Sequence, residues 1–319
     1  MMRCPCCGAR DFRRSERCPA EAAPGFRECG HCGILVDPHA LASGEIETFL
    51  RTRLVAGTFV SRRRDPIIVE SYALRTLALS RRLALSPLGA AQRHALCHPY
   101  QPLPANAALS PLAMIDPVPV TLVILCRPVD LKCLTPQLPE LERRFDDIVL
   151  MLDATMTPQT PPRGDRVRLV ARPLAGNFAA QRNAGQVAAK CDWVLQLDAD
   201  ESLGAGTHAD LGRVAALADS AGAVSVGLPR RNLVDCVLAD LYPDVQYRLN
   251  HRTVQFEGTV HERPAPPRGW RDSFIAPNLA IDHHLTAAHV EARSARYEQL
   301  SPGKGRMFER DALLTPYRP

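Results

Sequence analysis

The stretch NFAAQRNAGQVAAKCDWVLQLDADE, residues 177–201, decides the fold class of this chain. Its first half is rich in alanine and glutamine and predicts a helix over residues 178–190, with the leading asparagine as its N-cap. Its second half, WVLQL at residues 193–197, is a continuous apolar run that predicts a buried strand. Two aspartates, Asp198 and Asp200, follow that strand at once. This order is typical of an α/β sheet with polar groups at its strand ends.

The same alternation of strands and helices continues on both sides of this stretch. The predicted strands are residues 120–126, 147–152, 166–171 and 223–228, and the further predicted helices are residues 44–54, 67–85, 138–145 and 209–219. From residue 118 onward the pattern predicts an α/β fold, with a mostly parallel sheet and helices on both faces. Asp153 and the aspartate pair each follow a predicted strand, so we expect them where such sheets bind ligands.

The cysteines are concentrated at the start of the chain, where six of the eleven lie within the first 32 residues. Two C-x-x-C-G knuckles let tight turns aim paired thiolates at one ion, and they predict a four-thiolate zinc ribbon. The predicted ligands are Cys4, Cys7, Cys29 and Cys32, with Cys6, Cys18 and His31 as spare donors. Such a site has no open position, so the zinc would be structural. The alternative is a set of reduced, unliganded thiols.

Charge and proline content divide the 319 residues unevenly. The net charge of +5 lies entirely in residues 1–117, which hold 15 basic and 10 acidic side chains, whereas residues 118–319 hold 24 of each. Residues 87–119 contain seven prolines, which predicts a linker or an extended segment. We therefore expect a zinc ribbon at residues 1–40, a helical and proline-rich linker region at residues 41–117, and the α/β domain at residues 118–319.

Several classes of protein are excluded by composition. No stretch approaches the roughly 20 apolar residues of a membrane-spanning helix, so no transmembrane segment is expected. The N-terminus, MMRCPCCGAR, lacks the apolar region of a secretory signal, which predicts a cytoplasmic protein with reduced thiols. Peripheral association with the inner face of the membrane stays open. No arginine run is interleaved with aromatic residues, so nucleic acid is not an expected partner.

The aspartate pair suggests a metal and a phosphorylated substrate. Asp198 and Asp200 are two residues apart, so in an extended chain both carboxylates face the same way. Their hard oxygen atoms suit Mg²⁺ or Mn²⁺, which commonly complete their coordination with substrate phosphates. A diphosphate that leaves a sugar needs such charge compensation. Taken alone, the pair also fits a strand that simply ends in acidic residues.

The stretch quoted first resembles the core of the family 2 glycosyltransferases, which have the GT-A fold. The resemblance continues through YPDVQYRLNHRTVQFEGTVHE, residues 242–262, to Asp282, His283 and His284. This combination is similar to the bacterial branch that contains lipopolysaccharide-core glucosyltransferases and sublancin-type peptide S-glycosyltransferases. The resemblance implies a hexosyltransferase with a nucleoside diphosphate sugar as donor, UDP being the expected nucleotide. The acceptor would be a glycan, a lipid-linked molecule or a peptide.

The resemblance also implies roles for single residues. The residues expected to bind the nucleotide sugar are Arg127, Asp153, Arg182, Asn183 and Asp198. The residues expected to hold the catalytic Mg²⁺ or Mn²⁺ are Asp198, Asp200 and either His283 or His284, with Asp200 the more direct ligand. The family has serine, threonine and glycine after the first aspartate, whereas residues 154–157 here read ATMT. This departure leaves the identity of the nucleotide open.

An inverting transfer requires a general base that takes the acceptor proton. The resemblance places Glu262 in this role, with Asp244 as the second candidate. The alternative for Glu262 is a structural carboxylate paired with Arg248 or Arg263.

Two other functions compete with glycosyl transfer. The first is a non-catalytic zinc-ribbon binding protein whose α/β domain has lost its activity. The second is a nucleotidyltransferase, which would need a glycine-rich phosphate loop after the first strand. Residues 127–130 read RPVD and contain no glycine, which argues against the second function.

Overall fold

The computed structural model describes residues 3–15, 25–98, 103–162, 164–204, 206–259, 262–300 and 307–318. The elements before residue 118 are, in chain order, β1 (Phe12–Arg14), β2 (Arg27–Cys29), β3 (Leu35–Val36), α1 (Pro38–Ser43), α2 (Glu45–Arg53), β4 (Gly57–Val60), β5 (Ile67–Ile68), α3 (Ser71–Ser80), β6 (Leu83–Pro87), α4 (Ala90–Leu96) and β7 (Asn106–Pro111). Their strands form two antiparallel sheets, β1-β2-β3-β5 and β4-β7-β6. An apolar core that includes the cysteine knuckles packs most of these elements together.

Two parts of this region differ from the sequence-based expectation. The predicted helix over residues 67–85 is a helix only at α3, because its β-branched start pairs with β3 and its end forms β6. The proline-rich segment is not an irregular linker throughout, since it contains α4 and β7, and β7 is the central strand of its sheet. Pro87 is the last residue of β6 and Pro111 is the last residue of β7, so neither proline interrupts a strand.

The elements after residue 118 form the larger part of the fold. Its strands are β8 (Val120–Cys126), β9 (Asp147–Leu152), β10 (Val167–Ala171), β11 (Trp193–Asp198), β12 (Glu201–Leu203), β13 (Ser225–Val234), β14 (Val237–Leu238), β15 (Val245–His251), β16 (Gln255–Glu257), β17 (Arg263–Ala265), β18 (Ser273–Ile275) and β19 (Ile281–Leu285). Its helices are α5 (Leu131–Leu134), α6 (Leu138–Glu142), α7 (Phe178–Ala188), α8 (Thr207–Ser220), α9 (Ala287–Leu300) and α10 (Met307–Leu314). None of the helices in the described ranges is long and apolar enough to cross a membrane.

The central sheet has the order β10-β9-β8-β11-β15-β13-β19-β12, with β14 and β18 paired to β13. The first four strands are parallel to one another, and β15 runs antiparallel to both β11 and β13. The predicted α/β class with a mostly parallel sheet is therefore confirmed, and the mixed sheet is consistent with a GT-A-like fold. The strands predicted at residues 120–126 and 147–152 have those bounds in the structure.

Alternation along β8 explains why helices cover both faces of the sheet. Leu122 and Ile124 share one apolar core with α6 and α8, whereas Val123 and Leu125 share another with the end of α7. Gly185 lets α7 approach closely, since a Cβ added there would lie 2.7 Å from Cγ1 of Val123. Helices on both faces thus follow from strands that are apolar on both sides.

Candidate active site

The polar residues that follow the parallel strands meet at one edge of the sheet. Arg127 follows β8, Asp153 follows β9, and Asp198 is the last residue of β11. These three strands are adjacent and parallel, so their carboxyl ends lie side by side. In open α/β sheets this is the edge at which ligands bind.

Two buried arginines hold the carboxylate of Asp198. Arg182 on α7 donates from Nη2 to Oδ1 at 2.9 Å, and Arg248 on β15 donates from Nη2 to Oδ2 at 2.9 Å. The two arginine side chains are only 1% and 8% exposed. Asp198 therefore serves first to neutralise and orient two arginines, and both of its oxygens are already in use.

The charge around Asp198 changes its pKa. Burial raises the pKa of this carboxyl, but the charges of Arg182 and Arg248 outweigh burial and hold the pKa well below its usual range. Because the folded-state pKa lies below the unfolded value, the ionised carboxylate stabilises the fold above about pH 4. This contribution is lost as the pH falls through the folded-state pKa.

Asp200 lies beside a histidine rather than an arginine. Its Oδ2 is 3.5 Å from Nε2 of His283, which lies on β19. The Nδ1 atom of His283 is 2.8 Å from Oδ1 of Asn232, which holds the ring in place. Burial raises the pKa of Asp200, but the hydrogen bond and charge of His283 together outweigh burial, so the pKa lies below its usual value. The neighbouring His284 instead lies with Nε2 2.9 Å from Oγ of Ser202.

Asp200 and His283 offer one oxygen and one nitrogen donor to a divalent cation. The four predicted metal residues do not form a closed ligand cluster, because among the described residues only the four N-terminal cysteines do so. Mg²⁺ characteristically binds through one or two protein ligands together with water and substrate phosphates. The donor pair therefore fits such a cation, with Asp200 half-exposed at 49% and open to a ligand.

Glu262, the predicted general base, belongs to the same cluster of charges. Its Oε1 accepts a hydrogen bond from Nε of Arg182 at 2.6 Å and lies 3.8 Å from Nη1 of Arg248. Its side chain is 12% exposed. The structure thus brings Glu262 to the residues at the end of β11, from which it is 64 positions away in the sequence. His261 lies outside the described residues.

Asp244, the second candidate base, lies in a separate but connected ion pair. Arg230 contacts its Oδ2 at 2.7 Å, Asn232 donates to the same oxygen, and Gln246 donates to Oδ1. Burial raises the pKa of Asp244, but the Arg230 charge and these hydrogen bonds lower it below its usual value. Both carboxylate oxygens are therefore occupied by other side chains.

Arg230 also reaches the buried carboxylate of Glu201, which links the two groups of charges. Nη1 of Arg230 lies 3.1 Å from Oε1 of Glu201, and Oε2 of Glu201 accepts from the backbone N–H of Asp198 at 3.1 Å. Sequence reasoning gave Arg230 and Glu201 no role. A charged residue inside an otherwise apolar segment is the sequence signal that points to Arg230, since β13 is apolar over most of its length.

The remaining predicted residues lie near this edge in different settings. Asn183 is occupied by the backbone of Phe256, donating to its carbonyl and accepting from its N–H, so it fastens β16 to α7. Asp153 accepts from the N–H of Leu174 at 2.8 Å. Arg127 is exposed and paired with Asp130. Asn183 thus contacts the backbone of β16, the other two residues flank the strand ends, and the predicted nucleotide-sugar contacts of all three stay predictions.

Two buried guanidinium nitrogens at this site have no hydrogen-bond partner among the described residues. They are Nη1 of Arg182 and Nε of Arg248. A buried N–H without a partner is costly, and such groups are uncommon in folded proteins. Their position beside Asp198 makes an anionic ligand with several acceptor oxygens a suitable partner for this edge.

An apolar cavity of about 400 Å³ adjoins the same edge. Asp200, Ser202 and His284 are among the polar residues that line it. The side chains that line its interior include Leu122, Ile124, Leu134, Leu141, Phe145 and Leu197. Its volume is within the range of small-molecule sites.

The second candidate centre is the four-cysteine cluster. Sγ of Cys4 lies 3.5 Å from Sγ of Cys32, and Sγ of Cys7 lies 3.6 Å from Sγ of Cys29. All four sulfurs lie within 4.8 Å of one another and are buried. A tetrahedral ion with Zn–S bonds of ~2.3 Å separates its sulfurs by about 3.8 Å, so the cluster fits a metal such as zinc.

The spare donors have different positions. Cys6 is buried but outside the four-sulfur group, and His31 is exposed. Cys18 lies outside the described residues.

Comparison with known proteins gives similarity at the level of structure alone. No family model and no curated protein matches the sequence. The crystal structure of S. aureus TarS is 12% identical, with a TM-score of 0.34 over 61% of this chain and 42% of TarS. Crystal structures of TarS residues 1–349 in complex with UDP and with UDP-GlcNAc are 12% and 13% identical, with TM-scores of 0.34 and 0.35. Each covers 61% of this chain, and 69% and 70% of theirs. Similarity this low does not assign an activity.

Proposed function

We propose that this chain is a glycosyltransferase of the GT-A type that uses a nucleoside diphosphate sugar, with UDP as the expected nucleotide. The observation that carries the proposal is the strand-end cluster, in which Asp200 and His283 lie beside the Arg182–Asp198 pair. Metal donors next to unsatisfied arginine N–H groups suit a diphosphate, which takes both a cation and hydrogen-bond donors. A strand that merely ends in acidic residues would not explain the buried arginines.

Each side chain has a distinct role in this proposal. Asp200 and His283 would hold Mg²⁺ or Mn²⁺, and the cation would supply positive charge for a diphosphate leaving group. Arg182, positioned by Asp198, supplies positive charge beside the diphosphate site. The resemblance to family 2 adds inversion at the anomeric carbon, with the acceptor proton passing to a carboxylate.

Glu262 is the base that the contacts favour. It shares Arg182 with Asp198, so an acceptor proton would be taken directly beside the leaving diphosphate. Asp244 has both oxygens bonded to neighbouring side chains and a lowered pKa, which makes it a poorer proton acceptor. We therefore assign Asp244 a supporting role.

The test is binding of UDP and of UDP-sugars in the presence of Mn²⁺, measured by calorimetry on the full chain. For the wild type we expect Mn²⁺-dependent binding, and for Asp200→Asn at least a tenfold weaker affinity, about 1.4 kcal/mol. The matched control is Asp192→Asn, because Asp192 is 70% exposed and pairs with Arg252 away from the cluster.

Donor hydrolysis separates the enzyme from a binding protein. Slow release of free sugar from a UDP-sugar by the wild type, lost in Glu262→Gln and Asp200→Asn, supports a transferase. Binding without any hydrolysis or transfer would support the non-catalytic alternative. If no nucleotide sugar binds the wild type, or if Asp200→Asn binds equally well, the proposal fails.

A further inference from the structure

The four cysteines and the strands β1 and β2 between them are here called the four-cysteine module. This module packs directly against residues 240–244, which are here called the 240–244 segment. Gly8 of the first knuckle lies against the ring of Tyr242, since a Cβ added to Gly8 would be 2.8 Å from Cε1 of that ring. Tyr242 in turn meets the ring of Tyr317 edge-on, with centroids 5.5 Å apart. The first knuckle therefore packs against Tyr242, which contacts Tyr317, and both aromatic side chains belong to the part of the chain after residue 118.

Two arginines that flank the knuckle hold the same segment by its first residue. Nη2 of Arg3 lies 2.8 Å from Oδ1 of Asp240, and Nη1 of Arg10 lies 2.7 Å from Oδ2. Both arginines also donate to the carbonyl of Arg318, and the Arg3 guanidinium lies 3.7 Å from the centroid of the Tyr317 ring. The Arg3 side chain is only 8% exposed, so this is a partly buried network with fixed geometry.

The far end of the segment enters the candidate active site. Asp244 holds Arg230, Arg230 holds Glu201, and Glu201 accepts from the backbone N–H of Asp198. The backbone adds to this chain of contacts, because the N–H of Arg230 donates to the carbonyl of Pro243 at 3.0 Å. A continuous series of contacts thus runs from the first cysteine knuckle to Asp198 at the end of β11.

We propose that the four-cysteine module is a brace for the active site, and that Asp240 and Tyr242 are positioning residues through which it acts. The metal fixes the first knuckle, the knuckle fixes the 240–244 segment, and the segment holds Arg230 and Glu201 beneath Asp198. This role differs from recruitment of an acceptor, because the surface that the knuckle presents to Tyr242 is covered by the chain itself. The positioning role rests on contacts alone, and its effect on donor binding rests on the proposed function.

Hydrogen–deuterium exchange of the metal-loaded full chain tests the brace without any substrate. The reporting amides are those of Arg230 and Asp240, which are bonded within and around the segment. We expect Asp240→Asn, and removal of the metal by a chelator, to speed their exchange about tenfold. Asp240→Glu keeps the carboxylate and should restore much of the protection.

The control variant is Arg13→Ala, because Arg13 is in the same module but pairs with Glu28 of β2. It should leave the Arg230 and Asp240 amides unchanged. Exchange of the amides of β8 checks that the sheet remains folded. If chelation unfolds the whole chain, amide exchange in Asp240→Asn still tests the brace, because this substitution removes no thiolate ligand.

The result that overturns the brace is unchanged exchange at Arg230 and Asp240 in Asp240→Asn. Binding of UDP with Mn²⁺ gives a second readout, where Asp240→Asn should weaken the affinity about threefold to tenfold. Absence of UDP binding in the wild type would contradict the proposed function and leave the exchange result standing. The two proposals therefore fail separately.

Discussion

Arg182 illustrates how single residues determine this site. A fully buried guanidinium requires compensating charge, and Arg182 obtains it from Asp198 and Glu262. The same two carboxylates are thereby oriented toward the strand end. The remaining nitrogen, Nη1, has no hydrogen-bond partner within the part of the chain that the structure describes. The two carboxylates therefore stabilise the buried cation, and its unused donor makes the cluster suited to an anionic ligand.

Replacing Asp198 should destabilise the fold as well as the site. Asp198→Asn removes one charge from between Arg182 and Arg248, which then lie buried with insufficient compensation. We expect the free energy of unfolding to fall by about 2–3 kcal/mol, somewhat below the loss for a fully buried pair because Asp198 is 31% exposed. Urea denaturation at pH 7 measures this.

The comparison for this variant is an exposed ion pair. Asp192→Asn breaks only the surface contact with Arg252 and should change the free energy of unfolding by less than about 1 kcal/mol. Equal effects of the two substitutions would show that the buried arginines do not depend on Asp198.

At the scale of elements, α7 combines a structural and a functional face. Asn177 caps its first turn, Asn183 fastens β16, and Gln186 donates to the carbonyl of Val254. Only Arg182 among these polar residues faces the cluster of carboxylates. The sequence predicted the helix and its cap, because both depend on neighbouring residues. It did not predict that the Asn183 amide contacts the backbone of β16, a partner 73 residues away. The nucleotide-sugar contact expected for Asn183 stays a prediction.

The close packing of α7 on the sheet gives a prediction for Gly185. Gly185→Val would place a branched side chain against Val123, which is fully buried and cannot move away. We expect a loss of about 1–3 kcal/mol in the free energy of unfolding, caused by overpacking. Thermal and urea denaturation measure the loss. Val187→Ala on the same helix is the control, because Val187 is 83% exposed and its truncation should be nearly neutral.

A stability equal to that of the wild type in Gly185→Val would mean that α7 can shift on the sheet. Such a shift would move Arg182 as well, so UDP binding by this variant reports on the same motion.

At the scale of the whole molecule, the first 117 residues contain a packed apolar core and contact the central sheet. Their apolar core contains the cysteine knuckles, so the proposed metal site and this core are packed together. Tyr72 on α3 also donates to the carbonyl of Ser273 on β18, which ties the region to the central sheet. The division into a ribbon, a linker and an α/β domain stays a prediction.

Zinc analysis tests the metal site in the intact chain. We expect about one zinc ion per chain after native purification, and a fall in melting temperature of more than about 5 °C when a strong chelator removes it. Cys29→Ser should lose the zinc. Cys133→Ser is the matched control, because Cys133 is exposed and lies outside the cluster. Zinc far below one ion per chain, or retention by Cys29→Ser, would contradict the assignment.

The sequence by itself determined the α/β class, the bounds of strands such as β8 and β9, and the four cysteines of the metal cluster. These features follow from hydrophobic periodicity and short spacings, which are local properties of the chain. Only the tertiary structure decided that His283 rather than His284 faces Asp200, that Glu262 shares Arg182 with Asp198, and that the knuckles touch the 240–244 segment. These contacts join residues tens to hundreds of positions apart, and such pairs are set by strand order and by which face a side chain occupies.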